Sequence, residues 1–171
     1  MQIVLFRHGP AGRRDASRWP DDALRPLTAR GEERTREAAD GLRRVLDEPL
    51  TDIMTSPYAR AFRTAELLGE AFPDARQIVL EALVPGGDPR AIIDALAGFD
   101  DDAVVALVGH EPDLGVLAGG LVIGTSHALP LKKAGACVLM VGDTLLPGSA
   151  ELIAQLPPRV LRKLARKGAR V

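Results

Sequence analysis

Cysteine is all but absent: Cys137 is the single one in 171 residues, which excludes an internal disulfide framework. Its neighbours Ala136, Val138, Leu139 and Met140 mark it instead as a small buried hydrophobe. Net charge is absent too: 22 basic against 23 acidic residues leave −1, so there is no overall field to attract nucleic acid or a membrane surface. No apolar run is long enough to span a bilayer, and the chain opens on a strand with no signal-peptide pattern, so a cytoplasmic location is expected. The three histidines, His8, His110 and His127, lie far apart with no cysteine beside them, so no metal site is expected. Repeats, linkers and low-complexity segments are missing as well. With 46% hydrophobic and 26% charged residues, the composition is that of an ordinary globular protein, and the length fits one domain spanning 1–171.

Against this plain background one stretch stands out. Ile3-Val4-Leu5-Phe6 is a short, uniformly apolar run, the pattern of a strand buried on both faces in a parallel sheet. It ends abruptly in Arg7-His8-Gly9, at the place where open α/β sheets bind ligands. Gly9 would let the backbone approach whatever Arg7 and His8 hold. Taken alone, His8 could equally hydrogen-bond a loop.

Further along, the polar segment from Ala11 to Pro26 holds the only tryptophan, Trp19, and is long enough either to overhang a site or to be pinned to the body by that ring. Thr28 is placed to cap a helix reaching about Asp47, with Ala38, Ala39, Leu42, Val45 and Leu46 at helical spacing. Asp52 to Pro57 is a second strand and its exit, followed by a helix to about Ala71 that carries Arg60 one turn in, with Arg63 able to share its face. Gln77 to Leu80 is a third strand, and Arg90 to about Gly98 a helix. Ala103 to Val108 is the most apolar run and therefore a central strand; it too ends on a histidine beside a glycine, Gly109-His110-Glu111-Pro112, with Asp113 able to cap the next helix. Glu111 could orient the His110 ring or cap the loop. His127 falls in an exposed loop. Ala136–Val141 and Ala150–Gln155 pair as a hairpin, and Pro157-Pro158 opens a last helix, at about 157–169, whose charges are all basic: Arg159, Arg162, Lys163, Arg166, Lys167 and Arg170. That helix is either a solvated face or a docking surface for an acidic partner.

Strands alternating with helices predict an α/β domain, a three-layer α/β/α sandwich with a mostly parallel central sheet of about six strands. Right-handed crossovers bring strand C-termini to one edge, so Arg7, His8, the Ser56 to Arg60 segment and His110 can converge there. Two guanidinium and two imidazole groups in one crevice repel each other unless an anion lies between them, and a phosphoryl group matches the guanidinium fork. A neutral imidazole nitrogen can attack phosphorus and carry the group covalently, while the cations stabilise its equatorial oxygens.

Arg7-His8-Gly9, Ser56-Pro57-Tyr58-Ala59-Arg60-Ala61 and Val108-Gly109-His110-Glu111-Pro112, in this order and spacing, resemble the histidine phosphatase superfamily, which includes the phosphoglycerate mutases. The short chain, the Arg25-Pro26-Leu27-Thr28 approach to the first helix and the Leu129 to Ala136 segment further resemble the SixA-type phosphohistidine phosphatases. The resemblance implies a metal-independent phosphatase without cofactor, with His8 as the phosphorylated nucleophile and Arg7, Arg60 and His110 as phosphate ligands. Gly9 and Ser56 are expected to line the substrate site. For a proton donor, the corresponding loop offers only Glu81 and Asp88. An alkoxide leaving group needs such an acid, whereas an imidazole, with a pKa of about 6.5, leaves readily without it. Phosphohistidine on a protein, such as a histidine phosphotransfer or carrier protein, is therefore the expected substrate, ahead of a small phosphate ester or a non-catalytic phosphate-binding role.

Overall fold

The computed structural model describes residues 1–142 and 144–167, with the side chain of Lys167 left out; Arg170, expected as part of the basic helix, lies outside the described residues. Six strands form one sheet in the order β3-β2-β4-β1-β5-β6. They are β1 (Gln2–Arg7), β2 (Asp52–Thr55), β3 (Arg76–Val79), β4 (Val104–Gly109), β5 (Ala136–Val141) and β6 (Ala150–Leu156). β1, β4, β2 and β3 pair in parallel; β5 runs antiparallel to β1 and β6 antiparallel to β5. The sheet is thus mixed but mostly parallel.

Period-two alternation along the central strands feeds two cores. Ile3 and Leu5 of β1, with Val105 and Leu107 of β4, pack against Ile92 and Leu96 of α3 (Pro89–Leu96) and Leu114, Leu117 and Leu121 of α4 (Asp113–Ile123). Val4 and Phe6, with Ala106 and Val108, pack against α1 (Ala29–Arg43), α2 (Ala59–Ala71) and Leu161 of α5 (Pro158–Lys167). Both faces are covered, which is why β1 and β4 read as unbroken apolar runs. No described helix is long and apolar enough to cross a membrane.

Several local expectations are corrected. The first helix ends at Arg43 rather than near Asp47, and Val45 and Leu46 instead close a turn through backbone bonds to Leu42. Thr28 does cap it, accepting from the Gly31 amide. Pro57 lies before the N-cap Tyr58 of α2, and Asp113 is the first residue of α4 rather than its cap. On the last helix, Arg162 and Arg166 reach Glu37 of α1 at 3.6 and 2.9 Å, so part of its basic face holds α5 to the body.

The α1–α5 contact is close enough to require a glycine: a Cβ on Gly41 would collide with the backbone of Leu161. Gly41→Ala should therefore destabilise the protein in urea denaturation. The gain in helix propensity of about 1 kcal/mol is outweighed by overpacking of about 1–3 kcal/mol, at the upper end because backbone atoms cannot rotate aside. Gly98→Ala, which meets only an ordinary contact, should be near neutral.

Candidate active site

The parallel register brings the three motif segments together. Arg7 pairs with Gly109 across β1 and β4, and Thr55 with Val108 across β2 and β4, so His8, Ser56 and His110 each follow a strand end on the same edge. The ladder continues one step beyond the strands: the His8 amide donates to Gly109 O at 3.0 Å and the Ser56 amide to Val108 O at 3.0 Å. A cavity of about 320 Å³ opens there, and Arg7, His8, Arg60 and His110 all line it. The two imidazole centroids are 5.1 Å apart.

Each ring has a defined hydrogen-bonding role. His8 Nδ1 lies 2.7 Å from Gly9 O, and a carbonyl can only accept, so Nδ1 carries the proton and Nε2 keeps its lone pair. His110 Nε2 lies 3.0 Å from Ser56 Oγ, which itself accepts from the Tyr58 amide at 3.3 Å. Ser56 Oγ can donate to or accept from this nitrogen, so the bond positions the ring in either tautomer, and His110 Nδ1 is a buried atom without a partner among the described residues. Burial, reinforced by the neighbouring arginines, pushes the pKa of both His8 and His110 down to about 3. Both are therefore neutral near pH 7, as a nucleophile must be.

The arginines are held by different means. Arg7 Nη1 donates to Leu131 O at 2.8 Å. Arg60, only 4% exposed, donates from Nη1 to Asp22 O at 2.7 Å and pairs through Nη2 with the Asp22 carboxylate at 3.1 Å, while its guanidinium lies 5.0 Å from the Tyr58 ring centre. Asp22 also takes Arg25 at 2.8 Å, and these partners hold its carboxyl below the usual range. Arg7 Nε and Arg60 Nε are buried donors, and His110 Nδ1 a buried ring nitrogen, with no partner among the described residues. Such groups cost free energy unless something accepts from them.

Other expected residues fall elsewhere. Gly9 does not line the cavity; its amide donates to Thr64 Oγ1, and an added Cβ would collide with Thr35 of α1, so its small size serves packing. Ser56 is buried behind His110. Glu81 opens a 3₁₀ turn (Glu81–Leu83) and Asp88 caps α3 through the Arg90 amide; both are exposed and outside the cavity. Arg63 turns away to Glu32 and Glu66, each at 3.0 Å. The Ala11–Pro26 loop does border the site, but through Arg14, Asp22 and Arg25, while Trp19 stacks with Arg18 and lines a separate hollow. His127 is exposed, as expected. Sequence reasoning missed Asp22, Arg25, Tyr58 and Lys133. The Asp22–Arg25 spacing was the one local signal available. An apolar cleft of about 420 Å³ between α3 and α4 adjoins the site and shares His110 with it.

A strand-end pair of histidines flanked by arginines, on this sheet, defines a phosphoryl-handling class. The sequence model of the histidine phosphatase superfamily (branch 1) matches residues 3–84, and the chain belongs to that superfamily. Among its relatives, an uncharacterised protein of Picosynechococcus sp. is 40% identical over 145 residues, covering 83% of this chain and 86% of that one. The chain superposes with a TM-score of 0.81 on the protein histidine phosphatase SixA complexed with tungstate, at 26% identity, covering 94% of this chain and 99% of that one. A proposed phosphohistidine phosphatase SixA from Nakamurella multipartitia gives a TM-score of 0.72 at 25% identity, covering 92% and 95%.

The buried histidines make stability depend on pH. Their folded pKa of about 3 lies below the ordinary imidazole value of 6.5, so between these values the unfolded chain binds protons more readily and stability falls as pH drops. The thermal midpoint of the wild type should decline more steeply from about pH 7 to about pH 4 than that of the His8→Gln/His110→Gln double variant. Parallel declines would show that the rings already titrate freely in the fold.

Proposed function

We propose that the chain is a phosphohistidine phosphatase that works through a covalent intermediate on His8. The observation that carries this is the His8 Nδ1–H bond to Gly9 O, which leaves Nε2 as the free nucleophilic nitrogen in a cavity that Arg7, Arg60 and His110 also line. Nε2 attacks phosphorus, and the P–N bond to the substrate imidazole breaks, that ring leaving neutral because its other nitrogen carries the proton. Water then attacks the phosphoryl group on His8, the P–N bond breaks with its electron pair returning to Nε2, and phosphate leaves as dihydrogen phosphate with both protons of the water. Arg7, Arg60 and His110 donate to the equatorial oxygens, where charge builds up in the transition state. Attacking and leaving groups are both imidazoles, so the first step needs little driving force. The carboxylates bordering the cavity also fit this reading: Asp22 is engaged by Arg25 and Arg60, and Glu111 accepts from the Leu131 amide at 2.9 Å. The SixA–tungstate structure offers a further parallel, since tungstate is a phosphate-like oxyanion.

One observation favours a second reading, a small-molecule phosphomonoesterase. Burial raises the pKa of Glu111, which borders the cavity, and a protonated carboxyl could serve an alkoxide leaving group. Assaying a phosphohistidine protein beside a panel of phosphate esters separates the two. Faster turnover of the esters, lost in Glu111→Gln, would favour the esterase.

His8→Ala should abolish turnover with the fold intact, and acid-labile phosphate should be trapped on His8 and not on His110. Arg60→Lys keeps the charge but loses the planar fork, so kcat/KM should fall by roughly 10²-fold. Near-normal turnover would exclude Arg60 from the reacting site.

A further inference from the structure

The cavity is bordered by five cations, Arg7, Arg14, Arg25, Arg60 and Lys133, against two carboxylates. Four of the cations have partners: Arg7 donates to Leu131 O, Arg60 and Arg25 hold Asp22, and Arg14 lies 3.8 Å from the same carboxylate. Among the described residues, Lys133 alone of the five forms no hydrogen bond or ion pair. An unpaired lysine on an open surface would mean little, but the backbone bearing this one is fastened on both sides. Upstream, Leu131 is gripped at both its polar groups, its amide by Glu111 and its carbonyl by Arg7. Downstream, the Ala134 amide donates to both Arg7 O and His8 O, at 3.1 and 3.2 Å, and Gly135 O accepts from the Arg7 amide. Ala134 itself is buried with φ +56°, a left-handed conformation that a residue with a Cβ adopts only under constraint. Strain of this kind persists where the surrounding structure enforces it, often at a site that uses it.

From this arrangement, and resting on the phosphoryl-transfer reading above, we infer that Lys133 is a fourth phosphoryl ligand beside Arg7, Arg60 and His110, an ammonium that binds an oxygen of the phosphoryl group left uncovered by the fixed arginines. A flexible point charge suits that task, because the planar forks are committed to set directions while an ammonium can follow the group from substrate to intermediate. Although Lys133 is exposed, partial desolvation at the cavity, together with Arg7, Arg25 and Arg60, lowers its pKa, as expected for a cation facing cations.

The neighbouring Lys132 supplies the control, since it is equally exposed but borders a different hollow. Calorimetric titration with tungstate should show affinity reduced about ten- to hundredfold in Lys133→Met, the scale of one hydrogen bond to a charged group, with a similar fall in kcat/KM for phosphoramidate. Lys132→Met should match the wild type in both. Unchanged tungstate affinity in Lys133→Met, or an equal loss in Lys132→Met, would overturn the assignment while leaving the phosphatase reading in place. A wild-type protein that neither binds tungstate nor cleaves phosphoramidate would instead overturn that reading, and the Lys133 assignment with it.

Discussion

Like charges crowded at a partly buried spot repel each other, and the strand edge of this protein is built around holding them there. Arg7, Arg60, Arg25 and Lys133 come together with two histidines, and desolvation alone would drive the imidazoles to stay neutral. Asp22 is the counterweight. One carboxylate from the 3₁₀ turn (Asp22–Leu24) holds Arg25 and Arg60 together, and its backbone carbonyl takes another donor of Arg60. Removing one partner of such an arrangement leaves a buried charge uncompensated, which is costlier than the pair is worth.

Asp22 satisfies only one side of the crevice. Arg7 Nε, Arg60 Nε and His110 Nδ1 are buried polar atoms without a hydrogen-bond partner among the described residues. A fold built for stability alone would have paired them or replaced them with apolar groups. Under the reading proposed above, a phosphoryl oxyanion in the cavity offsets part of the cost of gathering these cationic groups.

The backbone supplies the rigidity. Gly9 O fixes the tautomer of His8, Ser56 Oγ holds the His110 ring, and the Leu131–Gly135 segment is bonded onto the exit of β1. Tyr58, between Arg60 and the His110 ring, fills the space between the two arms of the site. These contacts hold the histidines and arginines in set positions, the preorganisation on which electrostatic stabilisation in the proposed reaction depends.

Sequence alone determined the central strands, because Ile3 to Phe6 and Val104 to Val108 are apolar without alternation and only a doubly covered parallel strand needs that. It also determined which histidines and arginines stand at strand ends, since motif and strand are contiguous in the chain. Helix ends were less legible: the apolar spacing continues through Val45 and Leu46, but the chain turns after Arg43. What only the tertiary structure decided is how the charges are paired. Arg60 with Asp22, Glu111 with Leu131 and Ala134 with Arg7 join residues remote in sequence, and Arg63, three positions from Arg60, turns instead toward Glu32. No local spacing encodes such contacts. Gly9 carries the same lesson in reverse, because its place beside His8 suggested a ligand contact whereas Thr35 of α1 is what requires the missing side chain. Local periodicity records which face of an element is buried; which polar group meets which depends on loops whose course is set by the packing of the whole sheet.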